Sequence, residues 1–366
     1  MDALGRPACG RAGRVVVVDA LRLLATVQMV EGHTLDAVLA LDLRSGAAFE
    51  LWRWARGLTS VAFLFAAGLS FYLATVRRLD AHLASRAERR RRFTRGATLI
   101  GVGYALRAPL GALAGGGASD AAWTAFLAVD VLHCIGATLL ALELVVVVTR
   151  RRSASVVAAG VLGLVGLWLT PTAHALTAAG WSRAWAGWLT PSTGSLFPLV
   201  PWGAYMCLGV VAGALAFPAA RAPAAGRGAA GLAVFAAAAW ALASRLPPGP
   251  AADGVLKLAV VSAGSGALGL CLGGVRRLPR ALERLAGETL VVYGAHVLLL
   301  YGAHVGLRAR IGPRLDLVSA LALAAVILAA SSALGLGWRR LGPWLRGRLR
   351  GTATPARGLD MAPDAG

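Results

Sequence analysis

The stretch VVVVDALRLLATVQMVEGHTLDA, residues 15–37, decides the fold. A helix of about 17–25 apolar residues crosses a hydrocarbon core roughly 30 Å thick, and this stretch has that length. It nonetheless carries Asp19, Arg22, His33 and Asp36. At about 100° per residue, the eleven steps from Arg22 to His33 return the side chain to within roughly 20° of its starting direction, with Asp19 about 60° to one side and Asp36 about 40° to the other. All four therefore form one stripe. A rise of ~1.5 Å per residue puts His33 roughly 16 Å along the axis from Arg22. Ionisable groups inside a span are costly and face a cavity or a partner. The nearest bland readings are an i,i+3 ion pair for Asp19 and Arg22 and a solvated interfacial histidine for His33. Two such pairs on one stripe favour a functional face, because a lipid-facing stripe of four ionisable groups is improbable.

Working outward, apolar runs recur at 57–76, 96–114, 124–148, 155–173, 197–217, 229–246, 255–275, 288–306 and 316–337. With the first, they predict an all-α polytopic membrane protein of about ten transmembrane helices. The spanning domain covers 15–350, between a tail at 1–14 and a disordered tail at 351–366. Composition agrees: hydrophobic residues are 57% of the chain and charged ones 15%, against about 45–50% and 25% in soluble domains. No stretch resembles a cleavable signal peptide ahead of a soluble domain.

The formal net charge of +20 would suggest nucleic acid in a soluble chain. Here the arginines gather in alternate connections: Arg77 to Arg95, Arg150 to Arg152, Arg221 and Arg227, Arg276 to Arg284, and Arg339 to Arg350, with Arg6, Arg11 and Arg14 ahead of the first span. The positive-inside rule makes these ends cytoplasmic, so both termini lie inside. The opposite connections carry Trp52, Trp54, Trp123, Trp181, Trp185 and Trp188, which read first as an interfacial aromatic belt.

Further polar residues fall within other spans. Asp130 and His133 lie at i,i+3 in the fourth, with Glu143 on another face of the same run. Pro198 and Pro201 at the start of the sixth predict a broken helix entry, followed by Trp202 and Tyr205. Ser262 and Ser265 among glycines read as close packing, as do Gly101 and Gly103. In the ninth span Tyr293 and His296 share a face, with Tyr301 and His304 further on. Metal chemistry has little support, since there is no H-E-x-x-H or C-x-x-C and Cys9, Cys134, Cys207 and Cys271 are scattered. No Walker A motif argues for an ATP-driven pump. What remains is histidine chemistry in a membrane cavity.

Asp19-Ala20-Leu21-Arg22, ten residues and then His33 form an R-x10-H pattern that resembles the signature of integral-membrane acyltransferases, including acyltransferase family 3. It is closer to the bacterial branch resembling the catalytic domain of heparan-α-glucosaminide N-acetyltransferase. Phe63 to Ser70 match F-L-F-x-x-G-x-S. Val131, Leu132, Ile135 and Gly136 match V-L-x-x-I-G, and Phe197 to Gly209 match F-P-L-x-P-W-x-x-Y-x-x-x-G. Leu290, Tyr293 and His296 match L-x-x-Y-x-x-H, with Gly287 three residues ahead of Leu290. Two features depart from the pattern: Leu23 stands where the family usually has glycine, and the run Trp52 to Thr59 offers no histidine where the lysosomal enzyme places one.

The resemblance implies a transmembrane acyltransferase in the bacterial cytoplasmic (inner) membrane. An acyl group, typically acetyl, would pass from cytoplasmic acyl-CoA to an outward-facing sugar amine or hydroxyl on a glycan or glycolipid. His33 would be general base or acyl carrier, Asp36 would hold its tautomer, and Arg22 would meet the donor. Asp19, Trp202 and Tyr205 would also serve donor binding. Asp130, His133, Tyr293 and His296 are further cavity candidates. The resemblance implies neither a metal nor nucleic acid as partner, and it leaves room for a homodimer within membrane lipid. The competing reading is a proton-coupled transporter or lipid translocator with Asp19, Arg22, Asp130 and His133 as its relay. Transporters built that way pair two broken helices in inverted repeats, whereas this sequence signals one break.

Overall fold

The computed structural model describes residues 15–109, 117, 119–176, 182–218, 225–275, 277–302 and 306–351. The two tails, together with Trp181, Arg221, Arg276 and His304, lie outside the described residues apart from Gly351, as do the side chains from Arg339 onward. Among the described residues there is no strand. An isolated bridge joins Leu39 to Leu315. A chain in lipid must satisfy its backbone polar groups within each segment, and helices do so.

The long helices are α1 (Val16–Val38), α2 (Ala47–Ala74), α4 (Arg86–Arg107), α6 (Val131–Thr149), α7 (Arg152–Trp168), α10 (Leu199–Ala216), α11 (Ala225–Ala243), α12 (Pro250–Cys271), α14 (Thr289–Tyr301) and α16 (Leu317–Gly351). Between them lie the short α3 (Leu79–Ala84), α5 (Asp120–Leu127), α8 (Thr170–Ala175), α9 (Arg183–Leu189), α13 (Arg280–Leu285) and α15 (Leu307–Ile311). Among the described residues, six segments are long and apolar enough to cross a membrane, containing α2, α6, α10, α11, α12 and α16. The apolar α7 and α14 are shorter. Charge sets α1 apart, with Asp19, Arg22, Glu31 and Asp36 on one helix, and α4 opens with six arginines and a glutamate in its first ten residues.

One expected boundary shifts for a local reason. The run 124–148 is broken after Leu127, because the Asp130 carboxylate accepts from the Val131 N–H at 2.6 Å and starts α6 as its N-cap. The break expected at the two prolines is present: Val200 has non-helical backbone angles within α10.

Two clusters form the interior. One draws on α2, α6, α7, α10, α11 and α12, with Phe65, Leu69, Tyr72, Leu142 and Met206 at its centre. The other draws on α1, α4, α14 and α16 through Met29, Val30, Leu99, Tyr293 and Ile327. Phe63 and Ile135 pack against both. Glycines set the closest approach in the first cluster. A Cβ on Gly68 would collide with the Met206 carbonyl, and one on Gly209 would collide with the Phe65 carbonyl, so α2 and α10 touch backbone to backbone. The motifs F-L-F-x-x-G and P-W-x-x-Y-x-x-x-G are thus two sides of one helix contact.

Hydrogen bonds fix the direction of the first pair. Thr59 Oγ1 donates to Gln28 Oε1 at 2.7 Å and Trp52 Nε1 donates to Glu31 Oε1 at 2.8 Å. Position 28 therefore faces 59 and position 31 faces 52, so α2 runs antiparallel to α1. Its C-terminus, and with it the arginine-rich start of α4, returns to the end where α1 begins. At the opposite end the last carbonyls of α1 would be orphaned. The Arg44 guanidinium takes them, donating to the carbonyls of Leu35, Asp36 and Leu39.

Candidate functional site

A cavity of about 1880 Å³ lies where the two clusters meet, walled by α1, α2, α4, the start of α6, and α14. Ligand pockets commonly measure about 300–1,000 Å³, so this one has room for two substrates together. At the end where α1 begins, Arg22, Arg86, Arg90, Arg91 and Arg95 line it, with Glu288. At the other end it is lined by Asp36, Arg53, Arg56, Tyr301 and Arg308. Met29, Phe63, Leu99, Leu132 and Ile135 supply an apolar middle.

The stripe on α1 faces this space. Arg22, Met29, His33 and Asp36 all line the cavity, whereas Asp19 is buried and does not. Close charge marks the arginine end. Burial first, then the charge of Arg91, holds the Arg95 guanidinium below the ordinary arginine range, and Arg92 beside it is lowered by burial and by Arg95. Like charges crowded in this way favour an anion between them.

His33 meets partners from a distant part of the chain. Its Nδ1 lies 2.9 Å from His296 Nε2 on α14, with ring centroids 5.1 Å apart. His296 Nδ1 in turn lies 2.9 Å from the Val292 carbonyl oxygen one turn back. His296 is fully buried, so it stands behind His33 and does not line the space. The Tyr301 hydroxyl donates to the His33 carbonyl oxygen at 3.0 Å and packs edge-on to its ring.

The expected Asp36–His33 pairing is replaced by a different one. The Asp36 carboxylate is ion-paired with Arg56 of α2. That guanidinium reaches it by crossing Gly32, where a Cβ would lie 2.6 Å from Arg56 Nε. Three residues along a helix put Asp36 and His33 on neighbouring faces, but the carboxylate turns to the cation across the helix contact.

Asp130 and His133 also separate. Asp130 lines the cavity, and its Oδ2 accepts from the Tyr293 hydroxyl at 2.9 Å, with Arg107 Nη1 at 3.5 Å. His133 is fully buried and accepts the Asp130 backbone N–H on Nδ1 at 3.1 Å, closing a capping box. Its ring is wedged against Tyr104, with centroids 4.2 Å apart, and a Cβ on Gly103 would lie 2.7 Å from it. The i,i+3 spacing that suggested a relay is the spacing of a helix N-terminus.

Trp202 and Tyr205 do not reach the cavity. Tyr205 is buried in the first cluster, and a Cβ on Gly254 of α12 would collide with its hydroxyl. Trp202 packs between Phe197 and Tyr205. Neither is placed to bind a donor there. Sequence reasoning did not single out Gln28, Arg56 and Arg107 as site residues, because each joins the site only through contacts with another helix.

The family model for the catalytic domain of heparan-alpha-glucosaminide N-acetyltransferase matches residues 14–243. That segment holds α1, α2, α4, α6 and α10, and so the cavity walls that carry Arg22, His33, Asp36, Arg95 and Asp130. Tyr293 and His296 lie beyond it. No curated protein and no solved structure matches the chain. The match covers well over half of the 366 residues, and with the membrane-length apolar helices it makes this an integral membrane protein that belongs to the heparan-alpha-glucosaminide N-acetyltransferase catalytic-domain family.

Proposed function

We propose that the protein transfers an acyl group, acetyl by family likeness, from cytoplasmic acyl-CoA to an amine or hydroxyl of an extracytoplasmic glycan or glycolipid. One observation carries the reading. A single cavity has Arg22, Arg86, Arg90, Arg91 and Arg95 at one end, and His33 within it, roughly 16 Å along α1 from Arg22 at a rise of ~1.5 Å per residue. An extended pantetheine arm bridges such a gap. The arginines hold the donor phosphates by charge-assisted contacts, with that end at the cytoplasmic face and both termini inside. On this reading α1, α4, α7 and α14 cross the bacterial inner membrane beside the six more apolar helices, ten spans in all.

In the transfer step the acceptor nitrogen or oxygen attacks the thioester carbonyl. His33 takes the proton that the acceptor loses. The tetrahedral intermediate then collapses, the C–S bond breaks, and the CoA thiolate leaves and takes up a proton. The apolar middle of the cavity keeps water from competing.

The test is purified protein with radiolabelled acetyl-CoA and a panel of amino sugars and lipid-linked glycans. Acceptor-dependent CoA release that vanishes in His33→Ala supports the reading. Solute uptake without CoA consumption overturns it in favour of a transporter.

A further inference from the structure

The contacts of His33 with α14 carry more than proximity. A carbonyl oxygen only accepts, so the 2.9 Å contact to Val292 puts a proton on His296 Nδ1. A neutral imidazole carries one proton, so His296 Nε2 is then an acceptor. The 2.9 Å contact to His33 Nδ1 therefore needs its proton from His33. That leaves the lone pair of His33 on Nε2. The reverse assignment would protonate both nitrogens of His296 and bury a cation whose ring is fully enclosed. Among the described residues the nearby carboxylates are taken: Asp36 is engaged with Arg56, and Asp130 with Tyr293 and Arg107.

We infer that His296 is a positioning residue that fixes His33 as the Nδ1–H tautomer and so turns a basic Nε2 toward the cavity, with the Val292 carbonyl as the anchor of the chain. This rests on the acyltransferase reading for its kinetic consequence but not for its structural one. It assigns to a second imidazole the orienting part that a carboxylate plays in many histidine bases. His296 touches no substrate in this arrangement. It acts through His33, from outside the residues matched by the family model. The tie also spans the molecule: His33 and His296 are 263 residues apart in sequence, so the tautomer depends on α14 packing against α1.

The test is nitrogen NMR of ¹⁵N-histidine-labelled full-length protein in lipid nanodiscs at neutral pH, because the two ring nitrogens of neutral histidine report directly which one bears the proton. His33 is assigned by the signal lost in His33→Ala. The inference expects Nδ1–H at His33 in the unmodified protein, and the Nε2–H form in His296→Leu. His296→Gln retains an acceptor oxygen and keeps Nδ1–H. Kinetically, kcat falls about tenfold or more in His296→Leu, short of the roughly 10²–10⁴-fold a general base contributes. KM for acetyl-CoA stays within about twofold, and His296→Gln recovers most of the rate. An Nε2–H tautomer at His33 in the unmodified protein overturns the inference even if neither His296 variant folds. So does an unchanged tautomer in a folded His296→Leu. Loss of all transfer activity with the Nδ1–H tautomer intact would instead count against the acyltransferase reading alone.

Discussion

His133 and His33 carry the same side chain to opposite ends. Each has Nδ1 engaged, but His133 Nδ1 accepts from the backbone N–H of Asp130 while His33 Nδ1 faces a second imidazole. The first arrangement starts a helix and the second leaves a base in a cavity. Spacing alone does not separate them, since i,i+3 serves a capping box as well as a catalytic pair. The capping role predicts that Asp130→Ala destabilises the protein by about 1 kcal/mol, the usual cost of losing an N-cap, whereas Asp130→Asn, also a good cap, costs far less. Thermal denaturation of detergent-solubilised protein measures the difference. Equal losses in both variants would return Asp130 to a role that needs its charge.

At the level of helices, the same-helix features were legible and the cross-helix ones were not. The stripe on α1 follows from helical periodicity, and Arg22, His33 and Asp36 do share the cavity. Which of them pair is decided by α2 and α14. Arg56 arrives because Gly32 lets its side chain cross, and His296 arrives from 263 residues away. The aromatic Trp202 and Tyr205 misled for a related reason: a proline-broken entry exposes backbone groups, but here the following turns serve the contact between α10 and its neighbours. That contact makes its own prediction. A larger side chain at Gly68 has only the rigid backbone of Met206 and Gly209 to push against, so Gly68→Leu destabilises by about 1–3 kcal/mol or more. Gly101→Leu, with nothing within 4 Å of its Cβ, is tolerated. Comparing the two midpoints under one detergent condition checks it, and a Gly68 variant as stable as the Gly101 variant would contradict a backbone-to-backbone seam.

Across the whole molecule, the net charge of +20 divides between topology and the cavity. The sequence placed the arginines in alternate connections; the fold turns Arg86, Arg90, Arg91 and Arg95 into the wall of the cavity that also holds His33. Their face within the connection becomes visible only once Ser85 caps α4, accepting from the Glu88 N–H at 3.2 Å and setting the helical register of the basic run. Replacing Arg91 and Arg95 together by glutamine should raise KM for acyl-CoA about tenfold or more, as loss of charge-assisted phosphate contacts does, while kcat changes little. A fall in kcat with KM unchanged would place these arginines outside donor binding. The most direct measurement of the central claim uses proteoliposomes of one known orientation, with radiolabelled acetyl-CoA supplied to one face and the acceptor to the other. The account predicts label on the acceptor only when acetyl-CoA meets the arginine-rich face and the acceptor the opposite face, and none with His33→Ala. Transfer that requires both substrates on the same face, or that survives His33→Ala, would contradict it.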